Sequence, residues 1–171
     1  MTLGKNLNLL QEPYIHFLIA NETSKSSFVQ QIEERKKNNI IIKEIDGKKC
    51  SNVEGLFDEF AIKLQFPTYF GENWAAFDEC INDLEWLDGD GYILVISNFD
   101  ELLTNSSQDL KVFKDILLST IQEWVNGREY DSYPTPPTPF HVVLHCLPLK
   151  ESIIKDRFSD VGLENIQITR V

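Results

Sequence analysis

The chain has 171 residues, of which 42% are hydrophobic and 25% charged, so it can form one globular domain with a substantial core. Its formal net charge of −11 argues against direct binding to nucleic acid, whose phosphates it repels, and is compatible with a basic protein partner. No apolar run is long enough to span a membrane and no signal-peptide pattern begins the chain. We therefore expect a cytoplasmic protein that does not bind membranes.

The cysteines and histidines show no functional spacing. Cys50, Cys80 and Cys146 are far apart, and none of the three histidines has a neighbour at metal-ligand spacing. An odd number of cysteines without a signal sequence favours free thiols in a reducing compartment. We expect Cys80 and Cys146 to be buried, and no metal or cofactor to be required.

The N-terminal third predicts one strand and one helix. The first dozen residues suggest a mobile or loosely packed lead, and residues 14–19 have the composition of a strand. Ser26 or Ser27 is the expected cap of a helix that extends to about Lys37 and has a charged outer face.

The next segment predicts a second strand and helix. The β-branched run at residues 40–45 stops at the turn signal Asp46-Gly47. Ser51 or Asn52 is the expected cap of a helix with apolar residues at helical spacing up to Leu64.

Residues 66–86 are the most informative segment. Pro67 predicts an irregular loop, Gly71 permits a turn, and the Asn73 side chain can cap a helix that starts near it. The predicted buried stripe comprises Phe70, Trp74, Phe77, Ile81 and Leu84. The opposite face is centred on Glu79 and carries Ala75, Asn82, Asp83 and Trp86, with Asp78 at its edge. From the pattern alone, this acidic face is either simply solvated or a binding surface.

The remaining elements continue the alternation of strands and helices. We expect strands at residues 92–96, 140–146 and 166–169, a helix at 110–124 ended by Asn126-Gly127, and a short helix at 151–158. Residues 128–139 contain four prolines and predict a long exposed loop. This order indicates an α/β fold with a mostly parallel sheet flanked by helices in two or three layers.

The sequence PTYFGENWAAFDECI at residues 67–81 resembles the binding loop and helix of the barstar family, whose motif is approximately L-P-x-Y-[YF]-G-x-N-[LW]-D-A-L-x-D-C-L. The protein after which this family is named inhibits the ribonuclease barnase inside the cell. The resemblance implies a single barstar-like domain with its core at about residues 40–147. An N-terminal strand–helix extension at about 13–39 and a C-terminal extension at about 148–171 lie outside it and could add or cover sheet edges.

The resemblance also implies a site. In barstar-type inhibitors, an aspartate just before the helix cysteine enters the active site of the nuclease, and Glu79 stands at this position here. Tyr69, Gly71 and Asn73 match positions of the family's binding loop. Three positions depart from the family pattern. Ala75 stands where the family has a second aspartate, Asp78 replaces a tryptophan of the helix, and Leu84 replaces a later aromatic residue. These departures suggest a target other than barnase. The expected partner-binding residues are Tyr69, Gly71, Asn73, Ala75, Asp78, Glu79, Asn82, Asp83 and Trp86.

We therefore expect an inhibitor of a basic ribonuclease or nuclease toxin, acting as an immunity protein or antitoxin and monomeric when free. No nucleophile–base arrangement, phosphate loop or dinucleotide fingerprint is present, so an enzyme is not expected. Asp115 on the later helix is either a further acidic contact or a solvated residue. The alternative function is an acidic protein-interaction module of the same fold that has no nuclease target.

Overall fold

A computed structural model describes residues 3–37, 39–129 and 132–171. Five strands form one parallel sheet, which confirms the α/β class. The strands are β1 (Ile15–Ile19), β2 (Ile40–Asp46), β3 (Gly91–Ser97), β4 (Phe140–Cys146) and β5 (Ile166–Arg170). Their order in the sheet is β2-β3-β4-β1-β5. The α-helices are α1 (Leu3–Asn6), α2 (Glu22–Arg35), α3 (Val53–Lys63), α4 (Trp74–Asp83), α5 (Ser107–Asn126) and α6 (Glu151–Arg157).

Helices cover both faces of the sheet, giving three layers. Helices α3 to α6 contribute to the larger core on one face, whereas Phe28 and Ile32 of α2 pack with Leu7 on the other. The connection from β1 to β2 runs across the sheet in the opposite direction to those from β2 to β3 and from β3 to β4. Because parallel crossovers are right-handed, α2 is placed on the opposite face from α3, α4 and α5.

The N-terminal segment differs from the prediction in two ways. Leu7 is 1% exposed and belongs to the core under α2, so a loosely packed lead is wrong for this part of the chain. Helix α2 begins at Glu22 instead of after Ser26 or Ser27, because the Asn21 side chain already accepts a hydrogen bond from the Ser24 amide at 2.8 Å. Strand β1 adds to the sheet as expected, but it lies between β4 and β5 and is not an edge strand.

Three histidines lie inside the sheet as buried structural groups. His16 Nε2 and His141 Nδ1 are 3.0 Å apart, and His141 Nε2 is 2.8 Å from the Leu9 carbonyl. Because the carbonyl only accepts, His141 donates through Nε2 and accepts the His16 N–H at Nδ1. His145 accepts from the Asn98 amide and donates to the Ala20 carbonyl. Burial lowers the pKa of all three, that of His16 to about 3.

The cysteines are buried, as expected for Cys80 and Cys146. All three are free thiols, and burial raises their pKa, to about 12 for Cys50 and Cys146. Such thiols remain protonated at neutral pH and are poor nucleophiles. Among the described residues, no helix is long and apolar enough to cross a membrane, and no cluster of His, Cys, Asp and Glu has metal-binding geometry.

Candidate functional site

The loop before α4 sets where the helix begins. Asn73 caps α4, its side-chain oxygen accepting from the Ala76 amide at 2.9 Å, which confirms the predicted start. The left-handed residue of this turn is Glu72, with φ of 51°, and not Gly71. Gly71 is instead favoured by space, because a Cβ there would lie 3.2 Å from the Asn73 side-chain nitrogen that binds the Gly71 carbonyl.

One side of α4 is locked in an aromatic core. Phe77, Ile81 and Leu84 are fully buried, as the stripe predicted. The Phe77 ring contacts the rings of Phe60 and Phe113 edge-on or tilted, with centroids 5.1 and 6.2 Å away. These contacts tie α4 to both α3 and α5, so its outer face is held on a rigid element.

The opposite face of α4 carries the acidic residues. Glu79 is exposed, and Asp78, Asn82 and Asp83 are half-buried. They line one wall of a groove between α4 and α5 with a volume of about 470 Å³. The Asn82 amide links α4 to α5 by donating to the Asp78 carboxylate at 2.9 Å and to the Thr120 hydroxyl at 3.3 Å. The structure thus brings four of the predicted site residues together.

The carboxylates on the α4 side of this groove are uncompensated. Asp78, Glu79 and Asp83 form no ion pair with any other residue that the structure describes. Within the described chain, Arg128 is the one cation that lines the groove. The groove can therefore accept further positive charge.

Tyr69 lies beside the same face. The residue is 73% exposed. Partial desolvation, followed by negative charges that include those of Asp83 and Glu79, raises the pKa of its hydroxyl. A protonated phenol next to carboxylates provides an apolar ring and a hydrogen-bond donor for a partner. Ala75 is exposed one turn before Glu79 and leaves room on this face.

Trp86 is not on the outer face of α4. The helix ends at Asp83 because Leu84 is left-handed, with φ of 48°, so the helical spacing that placed Trp86 on the acidic face no longer applies. Its ring packs edge-on against Phe66, and its indole N–H donates to the Leu64 carbonyl at 2.8 Å. The prediction that Trp86 lies on the acidic face is therefore wrong, because Trp86 packs against the start of the loop before α4.

Sequence reasoning missed the second wall of the groove. Ser119, Glu123 and Arg128 come from α5 and the segment after it, at least 36 positions after Asp83 in the chain. Arg128 Nε bonds Glu123 at 2.9 Å, and its Nη2 donates to the Asn82 carbonyl at 2.5 Å. The guanidinium also lies 5.1 Å from the centre of the Trp124 ring. No local motif marks these residues, since only the packing of α5 against α4 brings them here.

Asp115 does not line the groove. Its side chain is 61% exposed and pairs with Lys111 at 2.8 Å on the surface of α5. This geometry agrees with a solvated helix face, the second of the two interpretations of Asp115.

Comparison with solved structures matches the overall fold. The chain is similar to the ORC2 protein of Aeropyrum pernix, with a TM-score of 0.60 and 11% identity over 99% of this chain and 43% of that one. It is also similar to a chain of Drosophila ORC bound to AT-rich DNA and Cdc6, with a TM-score of 0.52 and 12% identity over 99% and 51%. The chain thus spans about half or less of these proteins, and the likeness shows the fold alone.

Sequence comparison identifies the family. A Bacillus subtilis protein named "Putative ribonuclease inhibitor YrdF" is 37% identical over 79 residues, which are 46% of this chain and 79% of that protein. The model of the Barstar (barnase inhibitor) family matches residues 41–145, more than half of the chain. This match includes the loop before α4, α4 itself and the α5 wall of the groove. The chain therefore belongs to the Barstar (barnase inhibitor) family.

Proposed function

We propose that this protein inhibits a basic ribonuclease by inserting the outer face of α4 into the enzyme's active site. The observation that carries the proposal is Glu79, an exposed carboxylate on a helix whose other side is fixed in an aromatic core. A ribonuclease site holds phosphate with Lys, Arg and His, so a carboxylate in that position competes with RNA. Family membership supports the inhibitor role, and YrdF carries a related name.

Rigidity is what makes this arrangement effective. A flexible acidic segment would lose binding free energy to the ordering of its chain and side chains. Asn73 and the buried Phe77 fix both the start and the orientation of α4. Next to Glu79, charge and hydrogen-bond acceptors are supplied by Asp78, Asn82 and Asp83. The loop before α4, with Tyr69, Gly71 and Asn73, lies beside this face and contacts the nuclease as well.

The proposed partner is a ribonuclease or nuclease toxin, and the biological role is that of a cytoplasmic immunity protein or antitoxin. The acidic residues that outnumber basic ones by 27 to 16 favour a basic partner over nucleic acid. Ala75 and Asp78 stand where the family has an aspartate and a tryptophan. We infer that the target differs from barnase in the residues facing these two positions.

The test is inhibition of RNA cleavage by barnase and other bacterial ribonucleases, with the wild type and two charge-matched variants. Glu79→Gln should weaken inhibition by about 30-fold or more, equivalent to about 2 kcal/mol, because it leaves basic groups of the nuclease desolvated without a counter-charge. Glu34→Gln removes the same charge from the exposed side of α2, on the opposite face of the sheet, and should leave inhibition unchanged.

Two results would argue against the proposal. Equal inhibition by the wild type and Glu79→Gln would move the binding surface away from α4. No inhibition of any nuclease in the panel would favour an acidic interaction module that uses this fold for another partner.

A further inference from the structure

The described part of the proline-rich segment after α5, residues 132–138, forms a wall beside the acidic groove. Arg128 and Thr135 exchange both backbone hydrogen bonds, at 2.8 and 2.9 Å. The Thr138 amide donates to the Trp124 carbonyl at 2.7 Å, and prolines at 134, 136 and 137 fix their own φ angles. The hydrogen bonds and prolines restrain residues 134–138 before binding, which lowers the cost of ordering them in a complex.

Tyr133 projects from this wall. Its side chain is 88% exposed, and it lines a recess of about 900 Å³ between the wall and the connection from α4 to β3. A large aromatic ring held on a proline-rich backbone and left in water is typical of a contact residue in a protein interface.

The wall opposite Tyr133 is also held in place. The Asn39 side chain donates to the Asp88 carbonyl at 2.8 Å, and the Asp90 amide donates to the Asn39 carbonyl at 2.9 Å. The carboxylates that line the recess form no ion pair with another described residue. They are Asp83, Glu85, Asp88 and Asp90.

The recess continues the surface that we propose binds the nuclease. Asp83 and Arg128 line both the groove and the recess. Arg128 does not neutralise the recess, because its guanidinium is engaged by Glu123, the Asn82 carbonyl and the Trp124 ring. A protein that binds the outer face of α4 can therefore also reach the recess, because the groove and the recess share two lining residues.

We propose that Tyr133 and this recess form a second contact region for the same basic protein, and that they receive an arginine side chain from outside the nuclease's active site. A guanidinium can lie flat on the Tyr133 ring and donate to the facing carboxylates, whereas a lysine ammonium cannot combine both contacts as well. The inference rests on the proposed function, which supplies the basic partner.

This second contact gives the inhibitor a means of choosing its target. Ribonuclease active sites share their phosphate-binding chemistry, so contacts made through Glu79 discriminate poorly among them. A contact beyond the active site adds affinity only for a nuclease that carries an arginine at the matching place.

The first experiment uses a diarginine peptide as the probe, because it does not depend on any nuclease. In NMR titrations of the full chain, we expect saturable shifts at the amides of Gly89 and Tyr133. These shifts should be smaller with a dilysine peptide and lost in Tyr133→Ala. Equal shifts with both peptides, or shifts that persist in Tyr133→Ala, would overturn the proposal, since they indicate diffuse attraction to an acidic surface.

The second experiment measures calorimetric binding to the ribonuclease of the inhibition panel that the wild type inhibits most strongly. Tyr133→Ala should weaken this binding about tenfold, as expected for an aromatic contact residue. Leu149→Ala, which alters an exposed side chain on the short 3₁₀ helix after β4, should have no effect. If Glu79→Gln weakens binding and Tyr133→Ala does not, the second contact region is wrong although the proposed function stands. If the wild type inhibits no nuclease of the panel but the diarginine peptide binds at Tyr133, the proposed function fails and the recess stands.

Discussion

Arg128 connects the end of α4 to α5 through a single guanidinium. It accepts no hydrogen bond itself but satisfies the Asn82 carbonyl, one of the last in α4, while pairing with Glu123 and lying over Trp124. The Arg128 side chain is 13% exposed, so these contacts are largely shielded from solvent. Its role is to position the acidic surface, in addition to any contact with a partner.

Replacing Arg128 by lysine tests that role. An ammonium keeps the charge but cannot bond Asn82 and Glu123 in a planar fork while stacking on Trp124, so Arg128→Lys should lower the free energy of unfolding by about 1–2 kcal/mol. Urea unfolding followed by fluorescence measures this change. Arg35→Lys, at the exposed end of α2, is the control and should change stability by less than about 0.5 kcal/mol. Equal stability of the two variants would contradict the positioning role.

At the scale of residues, interactions between neighbours in the chain could be predicted from the sequence, whereas contacts between residues far apart in the chain could not. The Asn73 cap and the burial of Phe77 and Ile81 follow from spacing and side-chain chemistry within a few positions. Arg128 could not be predicted, because its contact with Asn82 spans 46 positions and depends on the packing of α5. Trp86 was misplaced since nothing in the local pattern signals that Leu84 becomes left-handed.

At the scale of elements, the N-terminal segment and α2 together form one layer of the fold. The sequence pattern did not predict that the N-terminal segment packs in this layer. Leu7 and α2 cover Ile93, Val95 and Val143 of the central strands. A lead with few periodic residues gives no helical or strand signal, yet Leu7 packs under α2 and the Leu9 carbonyl accepts a hydrogen bond from His141. The strands β1, β3 and β4 were easier to predict because each is a short, mostly apolar run bounded by turn residues.

Two leucines of the lead provide a matched test of this docking. Leu7 is 1% exposed and Leu10 is 47% exposed. Leu7→Ala should lower the free energy of unfolding by about 2–4 kcal/mol, because it removes buried methyl groups and leaves a cavity under α2. Leu10→Ala should lower it by less than about 1 kcal/mol, which chemical denaturation can resolve. Similar small losses in both variants would mean that the lead does not contribute to the core in solution.

The buried His16–His141 pair makes the junction of β1 and β4 sensitive to acid. Burial, followed by the neighbouring His141, lowers the pKa of His16 to about 3 in the folded chain, whereas an unfolded histidine titrates at about 6.5. Between these values the unfolded chain binds a proton that the folded chain does not. Stability therefore falls as the pH decreases below about 6.5 and is restored above it.

Replacing His16 by glutamine isolates this effect. The amide nitrogen of glutamine can donate to His141 Nδ1 as His16 does, but glutamine does not titrate. The free energy of unfolding should therefore fall less steeply between pH 6 and 5 in His16→Gln, by up to about 1.4 kcal/mol per pH unit. Comparing slopes removes any constant loss of stability in the variant. Parallel pH profiles would show that His16 titrates normally in the folded chain.

At the scale of the whole molecule, the segments outside residues 41–145 are integral parts of the sheet and of its cover. They supply β1 and β5, and β5 pairs with β1 and not with β4. They also supply α2, whose Phe28 and Ile32 cover the face opposite α4. The family match alone therefore does not mark a unit that can be expected to fold by itself.

A fragment of residues 40–147 tests this dependence. Without α2 and Leu7, the side chains of Ile93, Val95 and Val143 lose their cover, and burying each side chain of this size is worth about 1.5–3 kcal/mol. We expect the fragment to lack cooperative urea unfolding and near-ultraviolet circular dichroism. A chain ending at residue 162 loses the edge strand β5 together with the short 3₁₀ helix before it, and should still unfold cooperatively at a lower urea concentration than the full chain. Cooperative unfolding of the 40–147 fragment would instead establish an independent core, to which the two extensions add a separate function.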